Sequence, residues 1–215
     1  MIYICDVEFL NNEEEYKRIY DSVPQFRKEK ADKLRFQNDR NCSVGVWGLL
    51  QYALREQKIE CDMGVSYGQN GKPFFTKHPD ICFSLSHSGT KVMCGISDSI
   101  IGCDVQIIDR KNESNISIAK RFFTEKEYDY LVSLPEDEKS EAFFRIWTAK
   151  ESYVKALGDG LSKELSDFEV TILKDGIKID DEQYFAHEID VCDEYKFAYC
   201  TENKAEEQVK ILKRF

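Results

Sequence analysis

Punctuation is scarce in this chain: 215 residues carry only 4 prolines and 11 glycines, while 42% are hydrophobic. That balance leaves enough apolar mass to bury a sizeable core, as one large domain or two small ones, and the chain reads as globular. Long apolar runs are missing too, so no stretch approaches membrane-spanning length. The opening Met1-Ile-Tyr-Ile-Cys-Asp-Val-Glu-Phe-Leu10 has an acid at its sixth residue and no basic flank, and reads as a strand rather than a secretory signal. Basic charge is in deficit, with 30 Lys and Arg against 40 Asp and Glu, a formal net charge of −10. Nucleic-acid phosphates demand a dominant basic surface, so that partner class is excluded, and any anionic ligand must meet a local basic patch. Paired CxxC spacing is also lacking. The eight cysteines lie scattered in apolar runs such as Val92-Met-Cys-Gly-Ile96, which points to reduced, buried thiols in the cytoplasm.

What is present falls into periodic segments. Val46, Trp47, Leu49, Leu50, Ala53 and Leu54 recur at helical spacing over residues 44 to 57, behind a charged lead-in from Arg27 to Arg40. Asn70-Gly71 signals a turn, and Ile81 to Leu85 reads as a short strand ending at Ser86-His87-Ser88. Two apolar runs, Val92 to Ile96 and Ile100 to Ile107, flank Asp98-Ser99 and suggest an antiparallel hairpin. Thr124-Glu-Lys-Glu127 has the form of a capping box. A long helix follows Pro135, carries Phe143, Phe144, Ile146, Trp147, Val154 and Leu157, and is stopped by Gly158 and Gly160. Asp175-Gly176 is the strongest hairpin signal, and Tyr195, Phe197 and Tyr199 alternate as in a strand. Each half thus reads as helix followed by antiparallel strands, an α/β (α+β) arrangement that changes over near Asp104 to Arg110, with no repeat at the level of letters.

Chemistry-bearing residues cluster in this frame. Alternation in a strand sends Asp104 and Gln106 to one face and Val105 to the other. Trp147, Glu151 and Lys155, each four residues apart, line one side of a helix, with Lys150 close to that stripe. Oxygen ligands with few carboxylates suit Mg²⁺, a cation commonly shared with substrate phosphates. The same spacing equally fits Asp104 capping a turn and Glu151 pairing with Lys155 on a wet face. His87 between Ser86 and Ser88 offers an imidazole and two hydroxyls to a phosphate, or is an ordinary turn histidine. Lys72 follows a turn glycine. Arg27, Lys28, Lys30, Lys33, Arg35 and Arg40, interleaved with Glu29, Asp32 and Asp39, either solvate a helix face or bind an anion. Phe122, Phe123, Tyr128 and Leu131 read as core in preference to an exposed strip.

Taken in order, Gly71-Lys-Pro73, Phe83-Ser-Leu-Ser-His-Ser88, Ile101-Gly-Cys-Asp-Val-Gln106, Arg121-Phe-Phe-Thr-Glu-Lys-Glu-Tyr128 and Trp147-Thr-Ala-Lys-Glu-Ser-Tyr-Val-Lys155 followed by Gly158-Asp-Gly-Leu161 resemble the Sfp-type 4'-phosphopantetheinyl transferases. These motifs cover about residues 71 to 161. The resemblance implies two similar subdomains related by a pseudo-twofold axis, divided here as residues 1–105 and 106–215, with the active site at their interface. It further implies Mg²⁺-dependent transfer of 4'-phosphopantetheine from coenzyme A to a serine of an apo acyl or peptidyl carrier protein, releasing 3',5'-ADP, by a monomer. By position, Asp104 and Glu151 match metal ligands, and Lys72, Ser86 and His87 match coenzyme A contacts. Lys150 and Lys155 match lysines of the Trp-x-x-Lys-Glu motif. Glu151 is the expected base and Lys155 the expected stabiliser of the leaving group. Gln106 stands where the family often has a metal-binding glutamate. Ser43-Val44-Gly45 stands where an arginine and a small hydroxyl residue are common, leaving Lys30, Lys33 or Arg40 to meet the nucleotide. A Mg²⁺-dependent phosphohydrolase or a non-catalytic coenzyme A-binding module are the competing expectations.

Overall fold

The computed structural model describes residues 1–110, 114–158 and 163–215. Strand β1 (Ile2–Asp6) is followed by helices α1 (Glu13–Ser22), α2 (Gln25–Asp32) and α3 (Gln37–Glu56). Then come β2 (Val65–Tyr67), β3 (Pro73–Phe75), β4 (Cys82–Ser88), β5 (Lys91–Ser97) and β6 (Ile101–Ile107). Helices α4 (Ser114–Phe122), α5 (Glu125–Ser133) and α6 (Glu136–Leu157) precede β7 (Val170–Leu173), β8 (Gly176–Ile179), β9 (Phe185–Ile189), β10 (Tyr195–Thr201) and β11 (Val209–Leu212). No helix among the described residues is long and apolar enough to cross a membrane.

Local chemistry sets the helix ends. Asn12 Oδ1 accepts the amides of Glu14 and Glu15 at the start of α1. Thr124 and Glu127 form the full reciprocal capping box on α5. Past Leu157, Gly158 adopts φ +76°, the left-handed cap that glycine takes without steric cost. Gly160 and the remainder of the Gly158-Asp-Gly-Leu161 motif lie outside the described residues. The turns at Asn70-Gly71 and Asp175-Gly176 join β2 to β3 and β7 to β8 as hairpins.

Two larger sheets carry the molecule, in strand orders β11-β1-β5-β4 and β6-β10-β9. The long apolar helix α3 lies on the first, burying Val44, Leu49 and Leu50 with Tyr3 and Phe83. Helix α6 lies on the second, burying Phe143, Ile146 and Tyr153. A third cluster, Ile2, Ile4, Met93, Val105, Phe197 and neighbours, fills the space between the sheets. The fold is therefore mixed α/β, with antiparallel strands packed on helices in each half.

Two sequence readings require correction, the hairpin and the end of β4. Strands β5 and β6 do not form a hairpin: β5 pairs with β1 and β4, whereas β6 pairs with β10, so the Asp98-Ser99 turn passes the chain from one sheet to the other. Strand β4 does not stop before Ser86-His87-Ser88 but runs through all three. The position between residues 105 and 106 falls inside β6, and β11 returns to pair in parallel with β1, so the last residues belong to the first sheet. Phe122 and Tyr128 pack on the second core while Phe123 and Leu131 are buried in it, as read. All eight cysteines are free, five of them buried and three half-buried.

Candidate active site

The halves meet where β4 runs alongside β6. Alternation places Ser84, Ser86 and Ser88 on one side of β4, and their hydroxyls accept the amides of Cys103 (2.9 Å), Val105 (3.3 Å) and Ile107 (3.0 Å). Three side-chain oxygens thus stand in for the carbonyls of an ordinary ladder. This accounts for the Ser-x-Ser-x-Ser spacing without invoking a ligand. Ser86 is buried, and its hydroxyl donates to Asp104 Oδ1 at 2.7 Å and accepts from Lys155 at 3.0 Å.

Asp104, 2% exposed, is held from three sides. Lys155 Nζ lies 2.6 Å from Oδ1, and the Gln106 amide donates to Oδ2 at 2.9 Å. Gln106 shares the face of Asp104, as alternation requires, but its nitrogen here serves the carboxylate. Helix α6 can approach this strand because residue 102 is glycine: a methyl there would overlap the Ser152 carbonyl and the Ala156 amide. That close approach carries Glu151 and Lys155 to the edge of Asp104.

Beside them opens a cleft of about 760 Å³. Its apolar lining comes from both halves, Phe83 and Leu85 on one side and Phe122, Trp147 and Val154 on the other. Glu151 and Lys155 line it as well, which places the helical stripe of the sequence on the cleft. Burial first, and then the like charge of Asp104, raise the pKa of Glu151, with Lys155 opposing. Burial works against the Lys155 ammonium, but Asp104, Cys103 and Glu151 outweigh it and hold the pKa up. The neighbouring Cys103 thiol is pushed up to about 11, mainly by burial, and offers no nucleophile at neutral pH.

Lys72 also lines the cleft, with its ammonium bonded to the carbonyls of Ala156 (2.7 Å) and Ile101 (3.3 Å). It caps the end of α6 while its stem borders the cavity. Burial lowers its pKa. His87 sits in β4, where desolvation followed by the positive charges of Lys155, Arg27 and Lys30 lowers its pKa. Helix α2 is therefore close enough for its Arg27 and Lys30 to be felt at His87. Lys30 and Lys33 are exposed, and Arg40 donates Nε–H to the Leu34 carbonyl at 2.8 Å. Neither these three nor His87 are among the cleft-lining residues.

Lys150 requires the clearest correction. It does not face the cleft with Glu151: its side chain is fully buried and its ammonium is taken up by Glu127 and by two backbone carbonyls. Conversely, two cations have no role in the sequence reading of the site, and a third, Arg27, figures there only as one of the basic segment. Arg121 and Lys163 line the cleft. Arg27 is 8% exposed, donates to the Ser43 carbonyl and hydroxyl at 3.2 Å, lies over the Trp47 ring, and leaves its buried Nε–H without a partner. The signal for Arg27 was its three-residue spacing from Lys30, which puts both on one side of α2.

Among the described residues no group of three or more His, Cys, Asp and Glu is placed to hold a metal. The two carboxylates Asp104 and Glu151 suit a cation that completes its shell with water and substrate oxygens. The arrangement can remove a proton at Glu151 and balance negative charge at Lys155.

Comparison with known proteins bears on this geometry. Residues 100–200 match the model of the 4'-phosphopantetheinyl transferase superfamily. A 4'-phosphopantetheinyl transferase of Bacillus subtilis is 32% identical over 193 residues, covering 86% of this chain and 85% of that protein. The transferase psf-1 of Bacillus pumilus is 29% identical over 225 residues, covering 98% and 94%. A solved holo-(acyl-carrier-protein) synthase from Bacillus anthracis, 24% identical, covers 47% of this chain and 92% of that one with a TM-score of 0.41. The chain belongs to the Sfp-type 4'-phosphopantetheinyl transferase family.

Proposed function

We propose that this enzyme transfers 4'-phosphopantetheine from coenzyme A to a serine hydroxyl of an apo acyl or peptidyl carrier protein, with release of 3',5'-ADP. The observation that carries the reading is the meeting of Asp104, Lys155 and Glu151 at a cleft built by both halves. The serine oxygen attacks the phosphorus that bears pantetheine, and the bond from that phosphorus to the 3',5'-ADP oxygen breaks. Glu151, whose raised proton affinity suits a base, takes the serine proton. Lys155, kept charged by Asp104, balances charge that develops on the leaving diphosphate oxygen.

Burial first, and then the like charge of Asp104, raise the Glu151 pKa, and a divalent cation suits that pair of carboxylates. Asp104 and Glu151 would hold Mg²⁺, which when bound polarises phosphoryl oxygens. Gln106 is assigned as the donor that orients Asp104. Arg27, Lys30 and His87, with mutual charge effects, form the basic patch assigned to phosphate in an otherwise acidic chain. Eight free thiols support a cytoplasmic setting. Because one chain supplies both walls of the cleft, we assign a monomer.

Incubation with coenzyme A, Mg²⁺ and an apo-carrier tests the reading by intact mass. A pantetheinyl mass gain on the carrier serine is expected. Hydrolysed coenzyme A with unmodified carrier would identify a phosphohydrolase instead, and binding without turnover a non-catalytic module.

A further inference from the structure

Helix α6 turns about 100° per residue, so Lys150 points well away from the Glu151 stripe and into the protein. Its three N–H groups are all used: Glu127 Oε1 at 2.8 Å, the Leu165 carbonyl at 2.7 Å and the Phe168 carbonyl at 2.6 Å. The ammonium also sits 4.3 Å from the centre of the Phe168 ring. Glu127 is equally saturated. Oε1 accepts the Val170 amide at 2.5 Å as well, and Oε2 accepts the Thr124 amide at 2.8 Å in the capping box. Both side chains are out of solvent, at 0% and 1% exposure.

A single ion pair therefore joins the start of α5, the middle of α6 and the segment that leads into β7. That segment holds little regular structure of its own, one short 3-10 turn at Leu165–Asp167. Yet Glu164, Leu165 and Ser166 form one wall of the cleft, on the side of Lys163. Two of its carbonyls and the Val170 amide end on the Lys150–Glu127 pair, so the wall stands where the pair holds it. Stability alone does not explain such a pair, because apolar residues of similar volume often replace a buried ion pair without loss. Apolar replacements could not, however, receive the two inward carbonyls.

We propose that Glu127 and Lys150 are positioning residues that fix Leu165–Phe168 as a wall of the cleft and thereby set its affinity for coenzyme A, with neither side chain touching the ligand. This rests on the coenzyme A reading of the cleft.

The test uses Lys150→Met and the double variant Glu127→Gln/Lys150→Met in the full chain. The single variant strands a buried carboxylate and loses stability. The double variant removes both charges and keeps the folded protein available for measurement. Coenzyme A affinity is read by calorimetry, kcat and KM by carrier labelling, and local order by amide exchange across 165–170. In the folded double variant, coenzyme A binding weakens roughly tenfold and KM rises in parallel. Its kcat stays within about threefold, because no group at the reacting atoms has changed. Amides of 165–170 exchange faster while those of α6 remain protected. Unchanged coenzyme A affinity, or a lost kcat at constant KM, would overturn the proposal. Wild-type protein that binds coenzyme A but labels no carrier would refute the transfer reading alone, since the affinity comparison still decides this one. Wild-type protein that binds no coenzyme A would overturn both.

Discussion

The ammonium of Lys155 and the carboxylate of Asp104 meet at 2.6 Å, and Ser86 holds the same oxygen at 2.7 Å. Strands β4 and β6 and helix α6 thus converge on one atom. Asp104→Asn retains the shape but removes the charge that keeps Lys155 protonated and draws a cation. Carrier labelling by this variant is expected to fall by roughly 100- to 1,000-fold, measured under saturating coenzyme A.

Ser86 separates a structural hydroxyl from a ligand contact. In Ser86→Ala the buried Val105 amide and Asp104 each lose a partner, at about 1–3 kcal/mol for the amide alone. Urea denaturation should show that loss, with kcat reduced and KM for coenzyme A little changed.

Glu151 gives a pH signature with a definite sign. Its folded pKa is raised by burial and by Asp104, so the ionised base appears above the ordinary glutamate range near ~4.3. The acid limb of kcat/KM should lie correspondingly higher, and Asp104→Asn should move it down in whatever activity remains. The native state also binds more protons than the unfolded chain between the two pKa values, so stability falls as pH rises through that window. Glu151→Gln is therefore expected to melt at a higher temperature than wild type at neutral pH, with the difference vanishing in acid.

His87 should report phosphate binding through protons. Its pKa is lowered in the free protein by desolvation and by Lys155, Arg27 and Lys30, with Asp39 opposing. A phosphate brought to this patch raises it again, so coenzyme A binding takes up a proton and tightens as pH falls. Calorimetry in buffers of different ionisation enthalpy should show the uptake, and His87→Gln should abolish it.

Gly102 determines how closely α6 approaches β6. Gly102→Ala forces the helix off the Ser152 carbonyl and the Ala156 amide, separating Glu151 and Lys155 from Asp104. Labelling should fall more steeply than thermal stability, and Mg²⁺ should protect this variant from unfolding less than it protects wild type.

Much of this was legible in the sequence where the signal is local. The capping box at Thr124 and Glu127, the hairpin turns at Gly71 and Gly176, and the stripe of Trp147, Glu151 and Lys155 depend on neighbours within one or two turns of chain. Asp104 and Gln106 share a face for the same reason. The misses were non-local. Asp98-Ser99 resembles a hairpin turn, but the partner of β6 is β10, far along the chain. That the hydroxyl row of Ser84, Ser86 and Ser88 serves the amides of β6 is likewise non-local, because nothing near these serines in the chain reveals which strand lies alongside. Lys150 adjoins the stripe in sequence, and only the arrival of Glu127 and the Leu165–Phe168 carbonyls decides which way it turns.

Carrier labelling by Asp104→Asn, Glu151→Gln and the double variant, followed by intact mass under single-turnover conditions, tests the joint action of the two carboxylates most directly. Each single change should abolish nearly all transfer and the double should be no worse, because residues acting as a unit are strongly non-additive. Losses that multiply, or either single variant labelling the carrier serine at the wild-type rate, would contradict it.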